Sequence, residues 1–330
     1  MASFSQFGND LYTGKRSYDF VGKKYLWYAI AIVLIALALG ITLLRGGFEF
    51  GIEFRGGSQF EISQATNLDQ KFASDAVVAE VPSANPRVTI IGGDSVRIQT
   101  DQLTNAQNDE VRDALAAAYG LAPEDVTASF IGATWGADIT STAIRGLVTF
   151  LVLAAIVMAI YFRTWKMSLA AMTALLHDLI ITAGVYGVLQ FEVTPAAVIG
   201  FLTILGYSLY DTVVVFDKIR ENTSEDGAES RRTFTESVNL AVNQTLVRSI
   251  NTSVVALLPV GAILFIGAAI LGAGTLRDIS LALFIGMLVG TYSTIFIAAP
   301  LYAHLRSSED AIAKQAKKTL QNRKNAAIAQ

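Results

Sequence analysis

The sequence predicts a polytopic α-helical membrane protein with six transmembrane helices and a small α+β domain between the first and second. Two observations lead to this fold class. Apolar side chains make up 52% of the 330 residues and occur in long uninterrupted blocks, and about 18 apolar residues in succession are what a helix needs to cross ~30 Å of hydrocarbon. A polar, acidic stretch with strand-like and helix-like segments separates the first block from the others.

The first apolar block occupies 23–45 and follows an N-terminal segment, 1–22. Lys23 and Lys24 precede the apolar residues, as in a signal peptide. However, the block contains about 20 apolar residues, more than a usual signal peptide has, and no small-x-small cleavage motif follows it closely. We therefore expect an uncleaved membrane anchor.

Residues 46–140 form the predicted α+β domain. Strand-like segments alternate with helix-like ones, and a Gly92-Gly93 turn joins the middle two strands. The order β-α-β-β-α-β predicts a ferredoxin-like domain. The strands are predicted near 57–63, 86–92, 94–100 and 125–131, and the helices near 68–80 and 104–119.

The remaining apolar sequence, 141–304, predicts five further spans, and a basic tail follows at 305–330. Lys and Arg collect before the first span, between the second and third, between the fourth and fifth, and in the tail, whereas the short opposite connections QFEVT and GAGTLRD carry only Arg277. By the positive-inside rule both termini and the 218–246 loop are cytoplasmic, and the small domain lies outside. The predicted spans are 141–162, 168–188, 195–217, 247–270 and 279–303.

The composition argues against several kinds of site. The chain has no cysteine, which excludes disulfides and thiolate-bound metals, and only two histidines, which argues against a histidine-rich metal site. The basic tail from Lys314 to Arg323 is more typical of a segment that binds anionic lipid than of a nucleic-acid site. We expect no metal, no cofactor and no nucleic-acid partner.

Three charged residues interrupt the apolar blocks: Asp178, Asp211 and Arg248. A charge in the hydrocarbon costs at least about 2.5–3.5 kcal/mol on insertion scales, so it usually faces the bundle interior. The fourth span runs inward and the fifth outward, which puts Asp211 and Arg248 at comparable depth in the cytoplasmic half of the membrane. An aspartate beside an arginine can alternate between paired and protonated states, which is the basis of a proton relay. A static ion pair that fixes helix packing is the alternative.

Several neighbours complete this set of candidates. His177 and Asp178 form either a second relay group or a buried structural hydrogen bond, and Gly206 is expected to pack closely between helices. Asp217 belongs with Arg220 and Glu221 to a helix end that is expected to be solvated. Polar residues that share a helix face with Asp211 or Arg248 are predicted to support them: Tyr207, Ser208, Asn251 and Thr252.

Four segments resemble the SecD/SecF family of protein-export membrane proteins. GYSLYDTVVVFDKIREN at 206–222 resembles the fourth-span signature of the SecF branch, and FEFGIEFRGG at 48–57 resembles a motif shared with the SecD branch. HDLIIT at 177–182 and QTLVRSINTS at 244–253 also match. Glu53 stands where the family commonly has aspartate, which keeps the charge. The residues that carry the family motifs are Gly206, Asp217, Arg220, Glu221, Asn222, Gly51, Glu53, Gly56 and Gly57.

The resemblance implies a function that the spacing does not show. Members of the SecF branch pair with the similar six-span SecD, in an arrangement related to the resistance-nodulation-division (RND) transporters. The pair associates with the SecYEG channel and uses the proton-motive force to promote export of unfolded polypeptides. Asp211 and Arg248 match the family's transmembrane aspartate and arginine, and SecD supplies a further essential aspartate. The resemblance thus implies a transport subunit in the bacterial cytoplasmic membrane and no enzyme.

Three other functions are alternatives to proton-coupled export. Another RND-type exporter would carry a much larger outer domain and about twice as many spans. An intramembrane aspartyl protease shares the Tyr210-Asp211 pair but needs a Gly-x-Gly-Asp motif on the next helix, and GAGTLRD at 272–278 has the wrong spacing. A purely structural subunit of the export complex would keep every helix but would not depend on the acidity of Asp211.

Overall fold

A computed structural model of the chain describes residues 4–91, 93–224, 232–267 and 274–328. This part of the chain contains six helices that are long and apolar enough to cross a membrane, and they confirm the six predicted spans. In chain order, the first to sixth spans are Lys24–Leu44, Thr134–Phe162, Trp165–Leu189, Pro195–Ser224, Phe234–Gly267 and Thr275–Ser307.

Three predicted boundaries differ from the helix ends of the structure, because helices continue beyond the apolar blocks. The helix of the second span begins at Ala133, before the domain boundary predicted at 140. The fourth span continues to Ser224 and the fifth begins at Phe234, so most of the predicted 218–246 loop is helical. Hydropathy marks the part of a helix that lies in lipid and not the ends that project from it.

A capping box accounts for the early start of the fifth span. Thr233 Oγ1 accepts a hydrogen bond from the N–H of Glu236, and the Glu236 carboxylate accepts one from the N–H of Thr233. The span contains Pro259 and ends in a π-helical turn, Ile263–Gly267. Parts of the predicted 218–246 loop and of the predicted fifth span fall on 225–231 and 268–270, outside the described residues.

The small domain has the predicted order of elements. Gln70–Glu80 and Asn105–Tyr119 are its two helices, and they cover one face of a four-stranded antiparallel sheet with the strand order β3-β4-β2-β5. Gly92 of the predicted turn lies outside the described residues. The strands of the chain are β1 Glu49–Phe50, β2 Gly57–Ile62, β3 Arg87–Ile91, β4 Ser95–Thr100, β5 Val126–Ile131 and β6 Glu192–Val193.

A pair of short strands joins the small domain to the membrane spans. Strand β1 follows the first span, and it pairs in parallel with β6, which lies between the third and fourth spans. The N–H of Gly51 donates to the carbonyl of Val193 at 3.0 Å. A short helix, Ile52–Arg55, then leads into β2 through Gly56 and Gly57, which have φ of +79° and +145°. We call this contact the junction, and the end of the bundle that carries it the domain end.

The third, fourth and sixth spans form the buried part of the bundle, and the other spans lie at its periphery. The fourth and sixth approach closely because glycine lies at their contacts. A Cβ on Gly200 would lie 2.6 Å from Cβ of Ala282, and a Cβ on Gly286 would lie 2.5 Å from Cγ1 of Ile204. Small residues at such positions let helix backbones pack together in membranes.

At the opposite end of the bundle, two asparagines of the fifth span hold the N-terminal segment. Asn239 Oδ1 accepts from the N–H groups of Phe20 and Val21, at 2.9 and 3.2 Å. Asn243 Oδ1 accepts from the N–H of Tyr18 at 2.8 Å, and both asparagine amides donate to the carbonyl of Tyr18. A short helix, Phe4–Tyr12, precedes this segment.

The C-terminal tail, predicted only as a basic segment, forms the helix Asp310–Ile328 at this same end. Arg323 donates to the Glu236 carboxylate at 2.7 Å, and Lys166 lies 2.9 Å from Glu309. The tail helix therefore packs against the starts of the third and fifth spans, and the N-terminal segment packs against the fifth.

We expect the double substitution Asn239→Ala and Asn243→Ala to release the N-terminal segment, because its backbone loses several hydrogen bonds worth about 0.5–1.5 kcal/mol each. Trypsin cleavage after Lys15 and Arg16 should then be about tenfold faster in the purified protein. Asn251→Ala on the same helix is the matched control and should leave the rate unchanged. Equal cleavage of the double variant and the control would contradict the role of the two asparagines.

Candidate functional site

The charged residues predicted to lie within the membrane face different neighbours. Asp178 on the third span is 0% exposed and Asp211 on the fourth is 4% exposed, so both carboxyl groups are inside the bundle. Asp178 accepts a hydrogen bond from the fourth span, and Asp211 accepts one from the fifth. Arg248, by contrast, is exposed.

Asp211 accepts one hydrogen bond from the fifth span. Ser249 Oγ donates to Asp211 Oδ1 at 2.9 Å, and within the described residues the buried Oδ2 has no hydrogen-bond partner. A carboxylate buried with one oxygen unpaired is disfavoured in an apolar medium. A proton that binds Oδ2 removes the charge and leaves the Ser249 hydrogen bond in place. The arrangement can therefore hold Asp211 in two protonation states.

The expected pair between Asp211 and Arg248 is not what the structure contains. Within the described residues, no ion pair of 4.0 Å or less joins them. Ser249 faces Asp211 instead, because adjacent residues on a helix point about 100° apart. Arg248 lines a cavity of ≈ 330 Å³ with Asp217 and Glu221, at the end of the bundle that binds the N-terminal segment.

The polar residues predicted to support Arg248 belong to the same outward face. Asn251 is exposed, Thr252 is half-buried, and neither has a side-chain hydrogen bond within the described part of the chain. Ser249 and Ser253, four residues apart, form the inward face instead. These two serines were missed, although hydroxyl residues spaced by four are the signal that could have found them.

A chain of hydroxyl groups extends from Ser253 to two neighbouring spans. Tyr207, predicted as a supporting residue, donates to Ser253 Oγ at 3.3 Å, and Ser253 Oγ lies 2.6 Å from Thr291 Oγ1 of the sixth span. Next to Asp211, Thr212 Oγ1 lies 3.0 Å from Thr294 Oγ1. The fourth, fifth and sixth spans are therefore joined by hydroxyl contacts around Asp211.

Thr294 opens a π-helical turn, Thr294–Ala298, inside the sixth span. Such turns widen the helix locally and occur often at functional sites. Thr294 is fully buried and faces the residue next to Asp211. Nothing in the hydropathy of this segment marks the turn.

Ser208 supports Asp178 and not Asp211, which corrects the prediction for this residue. Ser208 Oγ donates to Asp178 Oδ2 at 2.5 Å, and His177 Nδ1 lies 3.2 Å from Asp178 Oδ1. A Cβ on Gly290 would lie 3.2 Å from Ser208 Oγ and 3.5 Å from Asp178 Oδ2, so the sixth span closes over this contact. His177 Nε2 is buried without a partner in the described chain.

The charged and amide residues at the end of the 206–222 motif are exposed or partly buried. Asp217 accepts from the Tyr161 hydroxyl at 2.7 Å, and Glu221 pairs with Lys218. Asn222 donates to the side chain of Gln244, and Arg220 is exposed.

The sequence predicted that Gly206 packs closely between helices. In the described part of the chain, Gly206 packs against no other helix. A Cβ there would meet nothing within 4 Å. Gly206 shares an exposed stripe of the fourth span with Ile199, Thr203 and Tyr210. Within the described residues, no group of three or more His, Asp or Glu side chains could hold a metal ion.

Comparisons with known proteins agree on one family. The model of the family "Protein export membrane protein SecD/SecF, C-terminal" matches residues 110–308. The SecF protein translocase subunit of Streptomyces coelicolor is 44% identical over 98% of this chain and 86% of its own length. The SecF subunit of Mycobacterium tuberculosis is 41% identical over 95% of this chain and 72% of its own length.

The fold agrees with a solved structure of the same family. The crystal structure of SecDF from Thermus thermophilus, described as a translocon-associated membrane protein, matches with a TM-score of 0.75 and 29% identity. The match covers 88% of this chain and 39% of the SecDF chain. The chain therefore spans about two fifths of the length of SecDF.

Proposed function

The chain belongs to the SecF proteins of the SecD/SecF family, and from this we propose that it pairs with SecD and couples the proton-motive force to protein export across the cytoplasmic membrane. The observation that carries the proposal is Asp211. Its carboxyl group is buried in the fourth span and held by one hydrogen bond, and its Oδ2 has no partner in the part of the chain that the structure describes. A buried ionisable residue in a span is a functional candidate by default.

The proposed cycle begins when a proton from outside the membrane reaches Asp211. Protonation removes a buried charge and so changes how strongly the fourth span interacts with the fifth and sixth through Ser249 and Thr294. Because the proton prefers one arrangement of these helices, its binding shifts the population toward that arrangement. Release on the cytoplasmic side returns the bundle to the first state.

Arg248 has a separate part in this proposal. It is exposed on this chain, next to Ser249, whose hydroxyl donates to Asp211. An arginine held at the edge of the site stabilises the deprotonated state without a direct ion pair. Asp178 and His177 form a second ionisable group that either passes protons or holds the third span against the fourth through Ser208.

The partner SecD is proposed to cover the exposed stripe of the fourth span. Gly206 leaves room there for a close helix contact, and Tyr210 is exposed on the same stripe. An aspartate of SecD would then complete the proton path. The βαββαβ domain is the ferredoxin-like outer domain, both termini are cytoplasmic, and SecYEG and the emerging polypeptide are the further partners.

Export of a secreted reporter tests this function. In cells depleted of their own SecF, expression of this chain with its cognate SecD should restore export, and the chain should copurify with SecD. A protonophore should abolish the restored part of export. If export is restored equally with and without the protonophore, the chain is a structural subunit of the complex and not a proton-coupled one.

A further inference from the structure

The junction brings ionisable groups of the small domain together with one from the bundle. Glu53 lies on the short helix after β1, Arg97 on β4, and Glu192 on β6 between the third and fourth spans. Glu53 Oε2 and Glu192 Oε1 both lie against the position that a Cβ on Gly51 would occupy, so the two carboxyl groups are neighbours. Gly51 itself forms the backbone hydrogen bond between β1 and β6.

Glu192 has side-chain partners, whereas Glu53 Oε2 has none within the described residues. Gln99 Nε2 donates to Glu192 Oε1 at 2.7 Å, and Arg97 Nη1 lies 4.0 Å from Glu192 Oε2. The other terminal nitrogen of Arg97 lies 3.6 Å from Glu61. Glu53 Oε2 is buried and accepts no hydrogen bond within the described residues.

The charges around Glu53 do not compensate an ionised carboxylate. Glu192 and Arg97 face it, and Arg97 is shared between Glu192 and Glu61. Arg97 and Glu192 line a cavity in which Glu49 pairs with Arg87. The cavity also includes Arg277 and Asp278, and Asp278 accepts a hydrogen bond from Thr194 at 2.9 Å.

We propose that Glu53 is a proton-binding site of the junction, and that loss of its proton loosens the contact between the small domain and the bundle. The protonated carboxyl group adds no charge beside Glu192 and fits a buried position without a donor. The ionised group adds a second negative charge to the same place. Loosening then means separation of β1 from β6, which removes Glu53 from Glu192.

The direction of the pH dependence follows from the buried state. Burial raises the pKa of Glu53, and the charge of Glu192 raises it further, against a backbone hydrogen bond and Arg97, which lower it. The closed junction therefore binds the proton more tightly than the open one. Closure is strongest below the ordinary pKa of glutamate and weakens as the pH rises through the raised pKa.

This site is independent of the relay proposed at Asp211. It uses residues at the domain end of the bundle, and it predicts a response to the pH on that side of the membrane. A proton-driven change at the junction would act on the small domain directly, since β6 connects the third and fourth spans.

Amide hydrogen exchange of the full chain in lipid nanodiscs tests the proposal. The peptides that cover 48–57 and 190–194 are followed at about pH 5 and about pH 8, with rates corrected for intrinsic exchange. In the wild type, protection should fall by about tenfold between the two conditions. In Glu53→Gln, which imitates the protonated side chain, protection should stay high at both.

Two further variants make the test specific. Glu192→Gln keeps an acceptor for Gln99 but removes the neighbouring charge, so the loss of protection should move to lower pH. Glu80→Gln, at the exposed end of the helix Gln70–Glu80, should leave a tenfold loss like that of the wild type. Protection that is independent of pH in the wild type, or equally dependent on pH in Glu53→Gln, would overturn the proposal.

Discussion

Replacing Asp211 by asparagine is expected to lower export of a secreted reporter to the level of cells without this chain. Asparagine keeps the size of the side chain, and its Oδ1 can still accept the hydrogen bond from Ser249. It cannot take up and release a proton. Because the geometry of the site is preserved, the loss measures proton cycling and not packing.

Two controls separate this effect from loss of the protein. Membrane levels of the chain and copurification of SecD should be unchanged in Asp211→Asn. Asp217→Asn makes the same chemical change six residues along the same helix, where the side chain only accepts from Tyr161, and it should keep most of the export. Undiminished export by Asp211→Asn would show that the buried charge is structural.

A graded variant extends this test. Ser249→Ala leaves Asp211 Oδ1 without its donor, which costs about 1–3 kcal/mol when the acceptor is buried. Export should fall only in part, because the carboxyl group can still be protonated. A complete loss in Ser249→Ala with normal protein levels would mean that the serine itself is required in the proton path.

Two glycine-to-leucine substitutions are expected to have different effects. Gly206→Leu should prevent binding of SecD, whereas Gly286→Leu should lower the amount of the chain itself. Gly206→Leu places its side chain where nothing of this chain lies within 4 Å, so the chain should accumulate normally. If SecD covers this stripe, the leucine prevents close helix contact, and copurification of SecD should be lost. Affinity purification from membranes, with immunoblots for both chains, measures the two quantities.

Gly286→Leu is the matched comparison on the buried side of the fourth span. A Cβ there already lies within 2.5 Å of Ile204, and overpacking of this kind costs about 1–3 kcal/mol or more. The chain itself should then accumulate poorly. Normal copurification of SecD with Gly206→Leu would show that SecD binds elsewhere on the chain.

The elements of this protein follow from local features of its sequence. The six predicted spans are confirmed. They could be predicted because a long apolar block that crosses lipid must be helical, whatever its neighbours are. The helices and strands of the small domain follow from periodicity and turn residues. For example, the second domain helix, Asn105–Tyr119, begins at a Thr104–Gln107 capping box and ends at Gly120 in a left-handed conformation.

The contacts of the site depend on how the helices are rotated against each other. Asp178 and Asp211 were identified as buried from hydropathy alone, and both are buried. Their partners could not be identified, because Arg248 and Ser249 are adjacent in sequence but point to different sides of one helix. Ser208 likewise contacts the third span and not the fifth. Depth in the membrane can be counted along the chain, whereas helix rotation is determined by packing.

Long-range contacts were likewise accessible only from the tertiary structure. Glu53 and Glu192 are neighbours because β1 pairs with β6, and no local pattern relates the two short strands. Asn239 and Asn243 appear in sequence as ordinary polar residues of a loop, yet they bind the backbone of the N-terminal segment. The sequence by itself determined which segments cross the membrane and which charges they carry into it. The tertiary structure decided which groups those charges meet, because side-chain contacts between helices depend on their rotation and close approach.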